Sequence, residues 1–180
     1  MAINLIKTYP DLLEILHFSP NDRIKSLRAI FDRDITNNKR FSFRGKPIYP
    51  IKTDGDLDMD REFKHLTTEE VEEIDDDGNK LPKKRVFEYD RSKRLHWIKH
   101  HCEEKAPNNI SVFSVIERDL KKRQNVTKTY IYDTSNGYIV VFECQRNMSA
   151  YFLLTAYHLN RPGGKEKIEK LKKKKLDDVI

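Results

Sequence analysis

The stretch RLHWIKHH at residues 94–101 holds three of the chain's six histidines and its one tryptophan. Imidazole changes charge near neutral pH, so such a cluster suits more than one chemistry. His96 and His100 stand at i, i+4, the spacing that lets two imidazoles meet one metal ion, with His65 or Glu104 as a third ligand. The HExxH pattern is absent. The same histidines also suit the solvated face of a helix. A third chemistry is RNA cleavage without metal. It needs a base for the ribose 2′-hydroxyl, an acid for the departing 5′-oxygen, and cations or hydroxyls around the phosphorane. The chain offers His96 and His101 for the proton transfers and Arg94, Arg146, Thr155 and Tyr157 for the phosphate. This is the reading the sequence favours, with no metal and no cofactor expected.

The elements that must position these residues follow from hydrophobic periodicity. Residues 91–105 read as a helix stopped by Pro107 and Asn108. At about 100° per residue, Leu95, Ile98 and Cys102 form its buried stripe, His96, His100 and Glu103 lie opposite, and Trp97 and His101 sit at the boundary. Four strands are expected at 110–116, 128–133, 138–144 and 151–157, the middle pair joined by an Asn-Gly turn at 136–137. Strand alternation puts Tyr151, Leu153, Thr155 and Tyr157 on one face. Residues 117–124 read as a basic helical turn, and a basic helix from Lys165 carries Ile168, Leu171, Leu176 and Val179 as its seam.

Upstream, residues 3–35 read as helical, with Pro10 opening a second apolar run and Ser19-Pro20 capping a second helix. The segment FSFRGKPIYPI at 41–51 alternates and carries two prolines, as an edge strand or hairpin does. Thr67 or Thr68 is expected to cap a short helix through Glu72, followed by a turn at 75–79. The fold class is α+β: N-terminal helices, then a helix on a four-stranded antiparallel sheet, then the basic helix. The chain divides into an N-terminal segment (1–55), an acidic connecting segment (56–89) and a core (90–180).

Charge points to the partner. Residues 54–77 hold twelve acidic side chains against Arg61 and Lys64, a net of −10, so the rest of the chain carries +16. A body that basic suits a polyanion, RNA above all and tRNA as one form of it. His65, Lys99, His100, Tyr130, Tyr132, Arg161 and Lys165 are the candidate RNA contacts, cations for phosphate and aromatics for unpaired bases. The acidic segment is either a shield over the basic cleft or a solubilising loop. Cys102 and Cys144 stand apart in no CxxC pair, leaving neither a Cys-rich zinc module nor a disulfide framework to expect. The first 18 residues lack the features of a signal peptide, and no run approaches membrane-spanning length, so a cytoplasmic protein without a membrane partner is expected.

The order of RSKRLHWI at 91–98, TYIYD at 129–133, YIVVFE at 138–143 and LLTAY at 153–157, with FKHLT at 63–67, resembles the phage-associated branch of the barnase–EndoU–colicin–RelE-like (BECR) nuclease superfamily. The resemblance covers about residues 60–175 and rests on short motifs. It implies a helix on a four-stranded antiparallel sheet and metal-independent ribonuclease activity of the toxin or phage–bacterial conflict kind. It also implies a cognate inhibitor or antitoxin as a partner. Carried onto this chain, it points to His96 or His101 and to Thr155 and Tyr157. A non-catalytic nucleic-acid-binding accessory protein and a metal-dependent nuclease remain the alternatives.

Overall fold

The computed structural model describes residues 2–53, 55–105, 109–120 and 122–180. In chain order the elements are α1 (Ala2–Leu5), α2 (Pro20–Phe31) running into a π-helical turn (Asp32–Thr36), β1 (Ser42–Phe43), β2 (Lys46–Tyr49), β3 (Lys52–Thr53) and β4 (Asp56–Leu57). There follow α3 (Met59–Thr67), β5 (Thr68–Val71), β6 (Lys84–Phe87), α4 (Tyr89–Ser92) and α5 (Trp97–Cys102). The chain ends with β7 (Ile110–Asp119), β8 (Gln124–Asp133), β9 (Tyr138–Cys144), β10 (Tyr151–His158) and α6 (Gly164–Lys172). The class is α+β, as expected. Among the described residues no helix is long and apolar enough to cross a membrane.

The four expected strands are present as the antiparallel meander β7–β10, but the sheet has six strands in the order β1-β2-β10-β9-β8-β7. It is mixed, not wholly antiparallel, because β2 runs parallel to β10, with Ile48 opposite Tyr151. The hairpin read at residues 41–51 supplies the extra strands. Packing explains why it docks there: Phe43 lies 5.5 Å from Phe142 and 5.9 Å from Tyr151, ring to ring. The hairpin thus covers the backbone edge that β10 would otherwise present.

Both faces of the sheet are buried. One carries Ile131, Val140, Phe142 and Leu153 against Leu27, Ile30 and Phe31 of α2, Leu66 of α3 and Ile98 of α5. The other carries Phe113, Val115, Tyr130, Tyr132, Ile139 and Val141 beneath Ile168 of α6. This explains why β9 reads as an unbroken apolar run, YIVVF, with no alternation.

Four local expectations give way to tertiary pairing. Residues 11–15 are extended rather than helical. Leu13 and Ile15 are buried while Leu12 and Leu16 are exposed, a period of two. The Leu13 N–H donates to the Lys93 carbonyl (2.9 Å), and Asn4 brackets Glu14 with bonds of 2.8 and 3.0 Å. Residues 68–71 form β5, paired in register with β6, rather than a short helix; the N-cap of the helix lies earlier, at Asp58. Residues 117–119 continue β7 and Gln124 opens β8, so the basic turn is a strand connection. The single helix at 91–105 is two short ones, and its expected stop at Pro107 and Asn108 lies outside the described residues.

The break at 93–96 matters most. Arg94, Leu95, Trp97 and Ile98 each donate to the carbonyl three residues back. Three residues per turn advance each side chain by roughly 120° in place of 100°, so a few such residues rotate everything after them inward. His96 and His101 are consequently buried, at 4% and 1% exposure, where an uninterrupted helix would hold both off the apolar stripe.

The acidic stretch is folded in rather than laid over the molecule. Glu70 and Glu72 pair with Lys83, and Glu73 with Lys84, inside the hairpin of β5 and β6; Asp60 pairs with Arg28. Asp75 closes the expected turn by accepting from the Asp77 and Asn79 N–H groups. Beyond α6 the chain is not helical: Leu176 N–H donates to Ser114 O on β7, and the Ile180 carbonyl accepts from Thr129 and Tyr151 hydroxyls, each at 2.7 Å.

Ile131 is wholly buried in the centre of the sheet. Ile131→Ala is expected to lower unfolding free energy by about 2–5 kcal/mol, measured by urea denaturation. Ile116→Ala, at an exposed position further along the edge strand β7, is expected to change it by less than about 0.5 kcal/mol.

Candidate active cleft

The carbonyls at the end of α3 have no partner within the helix, and two arginines take them. Arg91 Nη1 donates to the carbonyls of His65 (2.8 Å) and Thr68 (2.9 Å). Arg85 donates to the same two carbonyls (3.4 and 2.8 Å) and to Thr68 Oγ1 (2.8 Å). Cations at a helix C-terminus are favoured by its dipole as well. This double clasp holds α3, the hairpin of β5 and β6, and α4 around a cleft of about 680 Å³, whose far wall is the end of β10 and the start of α6.

A bulge decides what β10 shows to that cleft. Leu153 pairs with Phe142 and Thr155 with Val141, so Leu154 is one residue too many for the register. Strict alternation would put Thr155 and Tyr157 on the face of Tyr151 and Leu153. The bulge reverses the phase instead: Ala156 joins the core on that face, while Leu154, Thr155 and Tyr157 line the cleft. Bulges re-aim side chains in this way beside functional sites.

Two histidines face the same space, His65 from α3 and His158 from the last position of β10. Burial pushes the His65 imidazole down to about 4, and the neighbouring Arg85 and Arg91 act in the same direction. Burial lowers His158 too, with Arg94 adding to it and Asp90 opposing. Asp90 Oδ2 lies 3.9 Å from His158 Nδ1, which has no hydrogen-bond partner. Lys93 holds Asp90 well below the usual carboxylate range, with Asn160 and Arg94 also bonded to it. Burial raises the Tyr157 phenol against the pull of Arg91. Among the described residues the Thr155 and Tyr157 hydroxyls have no protein partner, and Arg91 Nε is buried without one. Arg161, paired with Glu69, and Lys167 complete the cationic rim. Glu88 caps α4 by accepting from the Asp90 and Arg91 N–H groups.

The sequence-derived candidates are scattered over several places. His65, Thr155, Tyr157 and Arg161 meet in this cleft. His96, Lys99 and His100 line a second cleft beside the N-terminal segment. Arg146 lies in a third, bonded to Gln124. Lys165 is exposed on α6 outside all three, and Arg94 is buried over the Trp97 ring, bonded to Asp90. Tyr130 stacks on Phe113 at 5.2 Å beneath α6, and Tyr132 is buried beside it, so both pack the core rather than meet a base. His101 is a core residue: Nδ1 donates to Trp97 O (2.7 Å), and Nε2 is 3.1 Å from Asp133 Oδ2. A group this enclosed has no path to an RNA hydroxyl.

Sequence reasoning passed over His158, Arg85 and Arg91. His158 directly follows the LLTAY strand, and Arg91 opens the RSKRLHWI motif, so two of the three stood beside patterns already noted. Among the described residues no group of three or more His, Cys, Asp or Glu side chains is placed to share a metal ion. Both cysteines are free. No family model, no curated protein and no solved structure matches this chain.

The displaced imidazoles have a measurable consequence. In the unfolded chain His65 and His96 titrate near 6.5, in the folded one near 4. Between those values the unfolded state binds the extra protons, so stability falls as pH drops through that window and is fully present above it. NMR titration is expected to show both imidazoles still neutral at pH 5.5; a His65 midpoint at 6.5 would contradict the burial described.

Proposed function

We propose that the chain cleaves RNA by attack of a ribose 2′-hydroxyl on the adjacent phosphate, in the cleft of His65 and His158. The observation carrying this reading is that two imidazoles in different surroundings face one cleft together with arginines and free hydroxyls. Burial, with the flanking arginines adding to it, keeps His65 neutral, which suits the base. Burial and Arg94 lower His158, and Asp90 beside it opposes them, so of the two imidazoles His158 is the one with a carboxylate partner for its proton, which suits the acid. The 2′-oxygen gives its proton to His65 and bonds to phosphorus; the bond from phosphorus to the 5′-oxygen breaks as His158 protonates that oxygen. The products are a 2′,3′-cyclic phosphate and a free 5′-hydroxyl. The Thr155 and Tyr157 hydroxyls supply donors for the phosphorane oxygens, beside the positive charge of Arg85 and Arg91. Arg161 and Lys167 meet the flanking phosphates.

This keeps the reaction that the resemblance to the BECR nucleases implies, but assigns it to other histidines. A toxin-like role and a cognate inhibitor belong to the same proposal.

Labelled tRNA incubated with the protein in EDTA is expected to yield cyclic phosphate ends. His65→Ala and His158→Ala are each expected to slow cleavage by about a hundredfold or more, the scale of general acid–base catalysis. The rate should rise as His65 loses its proton near 4 and fall as His158 does so below the ordinary 6.5. The profile is therefore a bell with an acidic optimum. Full activity in both variants, or cleavage that requires added metal, overturns the assignment.

A further inference from the structure

The second cleft, about 740 Å³, lies between the N-terminal segment, the end of the π-helical turn and α5. Its walls carry six cations, Lys7, Arg33, Lys39, Arg40, Lys99 and Lys105, against two carboxylates, Asp34 and Glu103. Most are already engaged: Lys7 with Glu14, Arg33 with Asp34, and Lys99 and Lys105 with Glu103. Lys39 and Arg40 differ. Both are exposed and, among the described residues, form no ion pair.

His96 lines this cleft at only 4% exposure, its ring against the backbone of Asp11 and Thr8. A second observation is independent of charge: the Tyr9 and His100 rings stack in the same wall, centroids 4.3 Å apart and 13° from parallel. Hydrogen bonds from the Tyr9 hydroxyl to Asp133 (2.7 Å) and from Asn136 to that hydroxyl (2.6 Å) hold this platform in place.

We propose that this cleft binds single-stranded nucleic acid, its phosphates held by Lys39 and Arg40 and a base resting against the Tyr9–His100 stack. Free phosphate would use the cations alone. A duplex keeps its bases stacked on one another and has none to offer the aromatic wall. The site is separate from the cleft of His65 and His158 and stands whether or not that cleft cuts RNA.

The test uses a ten-residue single-stranded oligodeoxyribonucleotide, which lacks the 2′-hydroxyl and stays intact. Wild type is expected to bind it at low salt, with the His100 imidazole NMR signals moving during the titration. The Lys39→Glu, Arg40→Glu double variant should bind roughly tenfold more weakly and with a shallower salt dependence, as two lost phosphate contacts require. Both positions are exposed, so thermal melting should be unchanged. Inorganic phosphate at matched phosphate concentration should displace the strand only weakly; full displacement assigns the site to free phosphate and overturns the proposal. Absence of binding, equal affinity in the double variant, or His100 signals that do not move each overturn it as well. Cleavage assays with His65→Ala bear only on the other cleft.

Discussion

One buried carboxylate joins the parts of the chain that are farthest apart in sequence. Asp133, at the end of β8, receives the Tyr9 hydroxyl from the N-terminal segment, His101 from α5 and both N–H groups of Asn136 from the turn that follows. Burial opposes its charge, yet these donors together hold it well below the usual carboxylate range. Its stabilising contribution is therefore present above the unfolded carboxylate value near 3.9 and is lost in stronger acid. The histidine most inviting as a catalyst, His101, is spent on this joint.

From that joint outward the molecule is organised by a sheet buried on both faces. The α2, α3 and α5 helices cover one face and α6 the other, so functional side chains can only gather at the margins. Two margins do so. At the end of β10 the extra residue Leu154 reverses the strand's phase and brings Thr155 and Tyr157 to the side of His158. Beside α5, the three-residue winding at 93–96 turns His96 toward the N-terminal segment. In each case a short local irregularity redirects what the side chains face.

Charge is handled locally too. The −10 stretch at 54–77 is neutralised in good part by lysines of its own hairpin and by Arg28 and Arg161. Exposed pairs of this kind add little stability, about 0–1 kcal/mol each. Their effect is on the surface potential: the acidic segment forms one wall of the first cleft, while the second keeps an excess of cations.

The α+β class, the positions of the four meander strands, the Asn-Gly turn, an edge strand or hairpin at 41–51 and the Ser19 cap of α2 are legible in the sequence alone. Each of these rests on local backbone chemistry or on a periodicity read within one segment. Thr155, Tyr157, His65 and Arg161 were legible as polar groups near strand and helix ends. Tertiary pairing alone makes residues 11–15 extended, since their hydrogen bonds go to Asn4 and Lys93. It alone decided that β2 joins β10 in parallel, that His96 and His101 are buried, and that His158 and Arg91 share a cleft with His65. The reason is common to all of these. Helical phase and strand register are relative quantities, and a single inserted residue or tightened turn reverses which face a side chain shows. Such irregularities are set by what packs against the segment, which lies elsewhere in the chain.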